Sequence, residues 1–369
     1  MEYNLQEIFS LFDAEGTFTE GYSFGSGHIH ETYRINTTGE NKDNYILQKL
    51  NNNVFRDIPS MQENIGRVTS HIRKKLIKEG NRDIKRECLT PVRTIKGETY
   101  IVDDSGFYWR MYLFIKDHRS YDIVDSPDKA CQGGKAIGRF QALLSDLPPP
   151  PLHETIPFFH NVENRLTSFH ELIKSDPAGR VKELADEIGF IEEREEKMKI
   201  ILRLGEAGKI PVRTTHNDTK FNNILFDSDD RALCIIDLDT VMPGYVHYDF
   251  GDAIRTAANT ASEDEKDLSL VGMDIALYGS FARGYLEETI KTLNQTEVKH
   301  LAFSPHLITY IMGLRFLTDY IDGDSYFRIH HKHHNLQRAK AQFKLVESME
   351  NQYPEMKRII EDICSELNL

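Results

Sequence analysis

Cysteine is scarce. Cys88, Cys131, Cys234 and Cys364 are scattered over 369 residues with no C-x-x-C pair. That spacing argues against a disulfide framework and points to free thiols in a reducing, cytoplasmic compartment. Long apolar runs are missing too. The most apolar stretch, Leu307 to Leu317, is interrupted by Arg315 and is too short to cross a bilayer. The opening MEYNLQEIFSLFDAEG lacks the basic start and apolar run of a signal peptide. Positive charge is in deficit, with 45 Lys and Arg against 58 Asp and Glu, a net −13. A surface that grips nucleic acid or an anionic membrane is usually basic, so both partners are disfavoured. No repeat occurs, and the one biased tract is the run of prolines between Leu147 and Leu152. What remains is an ordinary globular composition, 40% hydrophobic and 28% charged, long enough for two lobes. The oligomeric state is left open, a monomer being the default expectation.

The stretch from Thr214 to Arg255 carries the chemistry. It begins TTHNDTKFNNILFD and continues CIIDLDTVMPGYVHYDFGDAIR. Asp218 and Asn223 stand five residues apart, with His216 two before the aspartate and Lys220 two after it. Ile224 to Phe226 reads as a strand, Asp227 to Arg231 as a turn, and Ala232 to Ile236 as the returning strand. Such a hairpin brings Asp237 beside Asn223. A carboxylate with no evident structural partner, an amide and a second carboxylate form the set that phosphoryl transfer needs. One Asp orients the attacking hydroxyl and accepts its proton, while Asn and the second Asp hold Mg²⁺ against nucleotide phosphates. A polar surface loop followed by a helix cap would explain single residues here. It does not explain H-x-D-x-x-x-x-N followed by a strand and an Asp.

Upstream, Leu5, Ile8, Phe9 and Phe12 predict a short opening helix. Strand-like residues flank Gly25-Ser26-Gly27, a hairpin tip whose backbone N–H groups can approach phosphate oxygens, although an ordinary turn has the same composition. Asn44 to Leu50 reads as a third strand. Gln48 falls where a kinase strand carries its phosphate-holding lysine, and Lys49 follows; alternation sends the two to opposite faces and leaves the choice open. The next helix, about Pro59 to Lys78, offers Glu63 as an ionic partner. Further strands through FYWRMYLFI complete a lobe of five strands and one helix, with Phe114-Ile115-Lys116 crossing to the second. That second lobe reads as mostly helical: Pro127 to Leu144, two helices within 162–207, one capped by Ser262-Glu-Asp-Glu-Lys-Asp and running toward Leu293, Pro305 to Tyr320, and a last one from Leu336 to about Glu366. Arg315 and Asp319 stand at i and i+4, as a surface salt bridge would. With the turn Asp322 to Tyr326, they also offer what sugar hydroxyls need. His330 to His334 invites a metal reading, but no carboxylate is spaced to complete a zinc set.

HNDTKFNNIL with IIDLDT resembles the aminoglycoside phosphotransferase/choline kinase family. Further likeness lies in GHI, YILQ, WR-Y-FI, DFGD-IR, EDEKDLS and RFL-DY--GD-YF, from about residue 25 to about 350. These fragments are similar to the branch of that family acting on N-acetylhexosamines. The resemblance implies an α+β, bilobal, protein-kinase-like fold: a small antiparallel-sheet lobe, 1–116, binding nucleotide, and a larger, mainly helical catalytic lobe, 117–369. It implies ATP- and Mg²⁺-dependent transfer to the anomeric hydroxyl of N-acetylglucosamine or N-acetylgalactosamine. By matching position, Asp218 is the base, Lys220 touches the γ-phosphate, and Asn223, Asp237 and Asp239 are metal ligands. His28, Arg315 and Tyr326 are candidate sugar contacts. Gln48 in place of lysine departs from the protein-kinase pattern. The rivals are a kinase of choline, an aminoglycoside or homoserine, and a non-catalytic kinase-like binding protein.

Overall fold

The computed structural model describes residues 3–25, 29–39, 43–81 and 83–367. Helix α1 (Leu5–Phe9) opens the chain, capped by the Asn4 side chain, which accepts the Glu7 N–H at 3.2 Å. Strands β1 (Thr17–Ser23), β2 (Glu31–Thr38) and β3 (Tyr45–Lys49) follow, then α2 (Ile58–Lys78) and a short α3 (Ile84–Glu87). After them come β4 (Pro91–Val92), β5 (Ile101–Val102) and β6 (Tyr108–Leu113). All pair antiparallel in one sheet, in the order β1-β2-β3-β6-β4 with β5 also on β6. The sheet has six strands rather than five, because two two-residue strands pair separately along β6.

Alternation divides this sheet cleanly. Tyr45 and Leu47 of β3 join Ile35, Trp109, Met111 and the α1 residues Ile8 and Phe9 in one apolar core. Ile46 and Gln48 point to the other side. There α2 buries Ile58, Met61, Ile65, Val68, Ile72 and Leu76, a helical stripe that packs with Leu225, Leu238 and Val241 of the 214–255 stretch. One apolar cluster thus ties the sheet's helix to the segment that carries the chemistry.

The rest is mainly helical: α4 (Pro127–Leu144), α5 (Val162–Ser175), α6 (Ala185–Met198) and α7 (Ile200–Glu206). Short strands β7 (Arg213–Thr215), β8 (Ile224–Phe226), β9 (Ala232–Ile235) and β10 (Met242–Gly244) frame the central stretch. Helices α8 (Val246–Ala257), α9 (Ile275–Thr289), α10 (Gln295–His300), α11 (Ser304–Ile321) and α12 (His334–Glu366) complete the chain. Residues 162–207 hold three helices instead of two, since the run breaks at Lys199. The acidic cluster after Ser262 does not cap the expected long helix; its Asp267 caps a single 3-10 turn, Leu268–Leu270. Glu263 pairs with Arg255 at 2.7 Å and Asp264 with His334 at 3.1 Å, and α9 starts twelve residues later with Asp274 as its cap. Among the described residues no helix is long and apolar enough to cross a membrane, and the four cysteines are free.

Helices α4 and α9 approach through glycines. A Cβ on Gly134 would overlap the Phe281 carbonyl, and one on Gly284 would overlap the Cys131 carbonyl. On α2, by contrast, a Cβ on Gly66 meets nothing within 4 Å. Gly134→Ala is therefore expected to cost about 1–3 kcal/mol through overpacking. Gly66→Ala should stabilise by about 0.5–1 kcal/mol through helix propensity. Urea unfolding of the two variants checks this, and effects of one sign would contradict the close packing.

Candidate active site

The loop between β7 and β8 is fixed before any side chain acts. Asp249, fully buried on α8, accepts the His216 N–H at 2.9 Å and the Asn217 N–H at 2.7 Å. Gln141 of α4 donates to the same carboxylate at 2.8 Å and accepts from the Tyr285 hydroxyl at 2.5 Å. Asn217 has φ 65°, in the left-handed region that asparagine tolerates better than most residues. Its amide donates to the carbonyls of Thr215 and Thr240 at 3.2 and 2.9 Å. Thr240 returns a hydroxyl bond to the His216 carbonyl at 2.7 Å. Sequence reasoning assigned Asp249 no role. Its one signal was a carboxylate, in the DFGD fragment, on a helix otherwise buried among apolar residues.

This loop presents Asp218 half-buried at the cleft. Its Oδ2 lies 3.3 Å from Lys220 Nζ and 3.3 Å from Asn223 Nδ2. Burial pushes the Asp218 carboxyl up, but Lys220 first, then His216 and Arg255, together outweigh it and leave the carboxyl below the ordinary aspartate value. Lys220 is raised in turn, chiefly by Asp218. His216 accepts the Asp218 N–H at Nδ1 (3.3 Å) and donates from Nε2 to the Ile236 carbonyl (3.0 Å), which fixes its tautomer.

The expected hairpin is present. Ile224 pairs with Ile235, and the Ile236 N–H reaches the Asn223 carbonyl at 3.0 Å. Asp237 follows with φ 63°, a left-handed conformation that is strained for aspartate. Its carboxyl makes no hydrogen bond or ion pair among the described residues. Asp237 is solvent-exposed at the cleft mouth; the protein packed around its carboxyl, then the carboxylates of Asp239 and Asp218, push its pKa above the ordinary value. Asn223 turns its Nδ2 to Asp218, which leaves its Oδ1 without a hydrogen bond among the described residues, and its backbone carbonyl takes the N–H of Ile236, the residue before Asp237. An unpaired carboxylate and a free amide oxygen, crowded by negative charge, fit a hard divalent cation with oxygen ligands.

Asp239, the other expected metal ligand, is already bonded. Arg110 of β6 engages both of its oxygens, one of them at 2.8 Å, and His30 Nε2 lies 2.5 Å from Oδ2. Arg110 also donates to Gln48 Oε1 at 2.9 Å, and Gln48 donates to Thr32 at 3.1 Å. Gln48 therefore faces the cleft. Lys49 is corrected as a phosphate contact, because the opposite face holds it against Glu31 at 2.7 Å and the Tyr3 hydroxyl at 2.5 Å. Glu63 pairs with His153 at 3.1 Å, not with a strand lysine. Arg110 was read only as part of a strand. Its partner lies 129 residues away, beyond any local pattern.

Gly25 ends the first strand region with φ 81°, while Ser26, Gly27 and His28 lie outside the described residues. Arg315 does not pair with Asp319. Its guanidinium lies 5.0, 5.3 and 5.9 Å from the ring centres of Phe159, Phe327 and Tyr326. Asp319 instead accepts the N–H groups of Tyr326 and Phe327 at 2.7 and 3.0 Å. His160 links this flank to the loop, donating to the Asn217 carbonyl at 2.8 Å. Burial first, then Arg315, lowers the His160 pKa to about 3.

The buried Arg110–Asp239 pair generates a stability test. Burial pushes Asp239 up, but Arg110 above all, then His30, holds it below the ordinary range. Its folded pKa thus lies below the unfolded value of about 3.9, so the unfolded chain takes up the proton first as pH falls. The pair's contribution is complete above about pH 5 and lost as pH drops through the folded value. Arg110→Met, which strands a buried carboxylate, should cost about 3–5 kcal/mol at neutral pH. It should also flatten the decline on the acid side, read by urea unfolding across pH; a slope as steep as the parent's would refute the pairing.

The fold has close company among solved structures. An aminoglycoside phosphotransferase from Alicyclobacillus acidocaldarius superposes with TM-score 0.61 at 11% identity, covering 98% of each chain. A microcompartment-associated aminopropanol kinase gives 0.55 at 14%, over 96% of this chain and 98% of that one. An amicoumacin kinase in complex with AMP-PNP and Ca²⁺ gives 0.54 at 12%, over 98% and 94%. At such identities the likeness is one of fold, α+β with an antiparallel-sheet lobe and a helical lobe. The sequence pattern of the phosphotransferase enzyme family matches residues 22–288, which takes in the sheet from the end of β1 onward, the loop of Asp218 and nearly all of α9. The chain belongs to the phosphotransferase enzyme family.

Proposed function

We propose that this protein is a kinase that transfers the γ-phosphoryl group of ATP to the anomeric hydroxyl of an N-acetylhexosamine. The observation that carries the reading is the contact of Asp218 with Asn223 and Lys220, with the unpaired Asp237 near enough to feel the charges of Asp218 and Lys220. Residues 1–116 would bind the nucleotide and 117–369 supply catalysis and the acceptor site. Asp218 would orient the acceptor hydroxyl and take its proton as the new O–P bond forms. The bond from the γ-phosphorus to the bridging oxygen breaks, and ADP leaves with that oxygen. Lys220, paired with Asp218, would offer its ammonium to the transferring group. Asn223 and Asp237 would hold Mg²⁺, which supplies charge neutralisation for the phosphates when bound. Gln48 and Gly25, with Ser26 and Gly27 beyond the described residues, are the proposed contacts on the nucleotide side.

The acceptor side supports a neutral sugar. Arg315 stands among aromatic rings, with Tyr326 exposed beside it, a surface suited to hydroxyls and a ring face; His28 is the third proposed sugar contact. The carboxylates nearby, Asp319 and Asp324, are already bonded to Asn335, and Asp324 also pairs with Arg180 at 2.7 Å. A cationic acceptor such as choline or an aminoglycoside would find neither of them free. The company of an aminopropanol kinase and an amicoumacin kinase favours the second reading, a kinase of another small hydroxyl compound, homoserine included. A non-catalytic binding protein is disfavoured by the complete acid–amide–acid set.

ADP release measured with N-acetylglucosamine, N-acetylgalactosamine, galactose and choline tests the choice. Turnover with the acetamido sugars is expected, and turnover with choline alone would overturn it. Asp218→Asn should lower kcat by about 10²–10⁴ while nucleotide still binds; parent-like turnover would favour the binding protein. Because Asp218 must be ionised to act and sits below its ordinary pKa, the acid limb of kcat/KM should lie below about pH 4. Lys220→Met removes the cation chiefly responsible and should move that limb to higher pH.

A further inference from the structure

A cavity of about 430 Å³ opens between β2 and the crossing after β6, lined by Arg34, Asn44, Phe114, Lys116, Asp117 and His118. Its size is that of a small-molecule pocket. Arg34 faces the cleft by register. It pairs with Ile46 of β3, two residues from Gln48 on the same face, and with Tyr22 of β1. Its guanidinium lies flat over the Phe114 ring at 4.0 Å. Phe24 and His118 hold that ring edge-on at 5.9 and 5.4 Å. Among the described residues Arg34 makes no ion pair, and its Nε is buried with no hydrogen-bond partner. Asp117 lines the same cavity with φ 52°, and its carboxylate has no partner among the described residues. A strained residue held at a pocket wall points to a role there.

We propose that Arg34 and Asp117 read the base of the phosphoryl donor and that the base they fit is guanine. This rests on the cleft being the nucleotide site of a kinase, and it widens the donor of that reading from ATP to GTP. Guanine presents two acceptors, O6 and N7, along one edge, which a guanidinium fork meets with two N–H groups. It also presents two adjacent donors, N1–H and the 2-amino group, which a carboxylate accepts together. Adenine reverses both of the decisive positions. Its 6-amino group would face the arginine's donors, and its unprotonated N1 would face the carboxylate. A donor-only and an acceptor-only side chain in one cavity thus match guanine at both ends. Adenine keeps N7, the aromatic stack and the backbone of the crossing, so ATP still binds, without the side-chain bonds.

Calorimetric binding of GDP, ADP and XDP to the full chain tests this without an acceptor. The parent is expected to bind GDP at least as tightly as ADP. Arg34→Leu should lower the GDP-to-ADP affinity ratio at least tenfold. Asp117→Asn should exchange the preferred base, binding XDP better than GDP, because xanthine carries a carbonyl where guanine has its 2-amino group. A general loss of folding cannot produce that exchange. A parent that binds ADP but not GDP, or variants that change the ratio less than tenfold, would overturn the proposal. If GDP binds as expected and no acceptor is phosphorylated, the kinase reading fails and the base reading stands; if no nucleotide binds, both fall.

Discussion

The site depends on one buried carboxylate. Asp249 takes two consecutive backbone N–H groups, from His216 and Asn217, in the dry interior between α4, α8 and β7. A carboxylate buried there needs donors, and a loop with a left-handed residue needs something to hold it. Each requirement is met by the other. Gln141 and Tyr285 extend the network into the α4–α9 contact, so the glycine-mediated approach of those helices bears on where Asp218 sits.

Charge matching explains the division of labour among the remaining acids. Asp239 is bound by Arg110 and His30, Asp252 by Arg255 at 2.8 Å, and Asp218 by Lys220. Asp237 is the acid of this group without an ion pair among the described residues, and the carboxylates of Asp239 and Asp218 act on it more strongly than Lys220 or His30. A protein can tolerate such a group by keeping it protonated or by binding a cation beside it. The backbone bond from Ile236 to Asn223, which brings an uncommitted amide oxygen to the same hairpin end, favours the second. Arg110 is committed to Asp239. It serves to fasten the sheet to the 214–255 stretch.

What was legible in the sequence was local. The spacing from His216 to Asn223 and the hairpin to Asp237 follow from neighbours within about twenty positions, and strand, turn and strand obey short-range rules. The helices from Pro127 and Pro305 were likewise bounded by their own proline starts. Element counts were missed locally, at the two-residue strands beside β6 and the break at Lys199, and the misses at the site are tertiary. The acids after Ser262 have the local character of a helix start, but Arg255 and His334 claim two of them. Arg315 and Asp319 have the spacing of a salt bridge, but backbone N–H groups after the Asp322 turn outcompete the guanidinium for Asp319. Whether Gln48 or Lys49 meets the cleft was decided by register, which places Arg110 opposite Gln48, and no alternation rule fixes which face is inward. Asp249, Arg110 and Arg34 act through partners or walls distant in the chain, so nothing nearby identifies them.

The central claim is that Asp237 lacks a cation because a divalent metal supplies it together with the nucleotide. Calorimetric titration of ADP with and without Mn²⁺, on the parent and on Asp237→Asn, measures this directly. The account predicts that Mn²⁺ tightens ADP binding at least tenfold in the parent and that the variant loses this gain. A parent indifferent to Mn²⁺, or a variant that keeps the full gain, would contradict it.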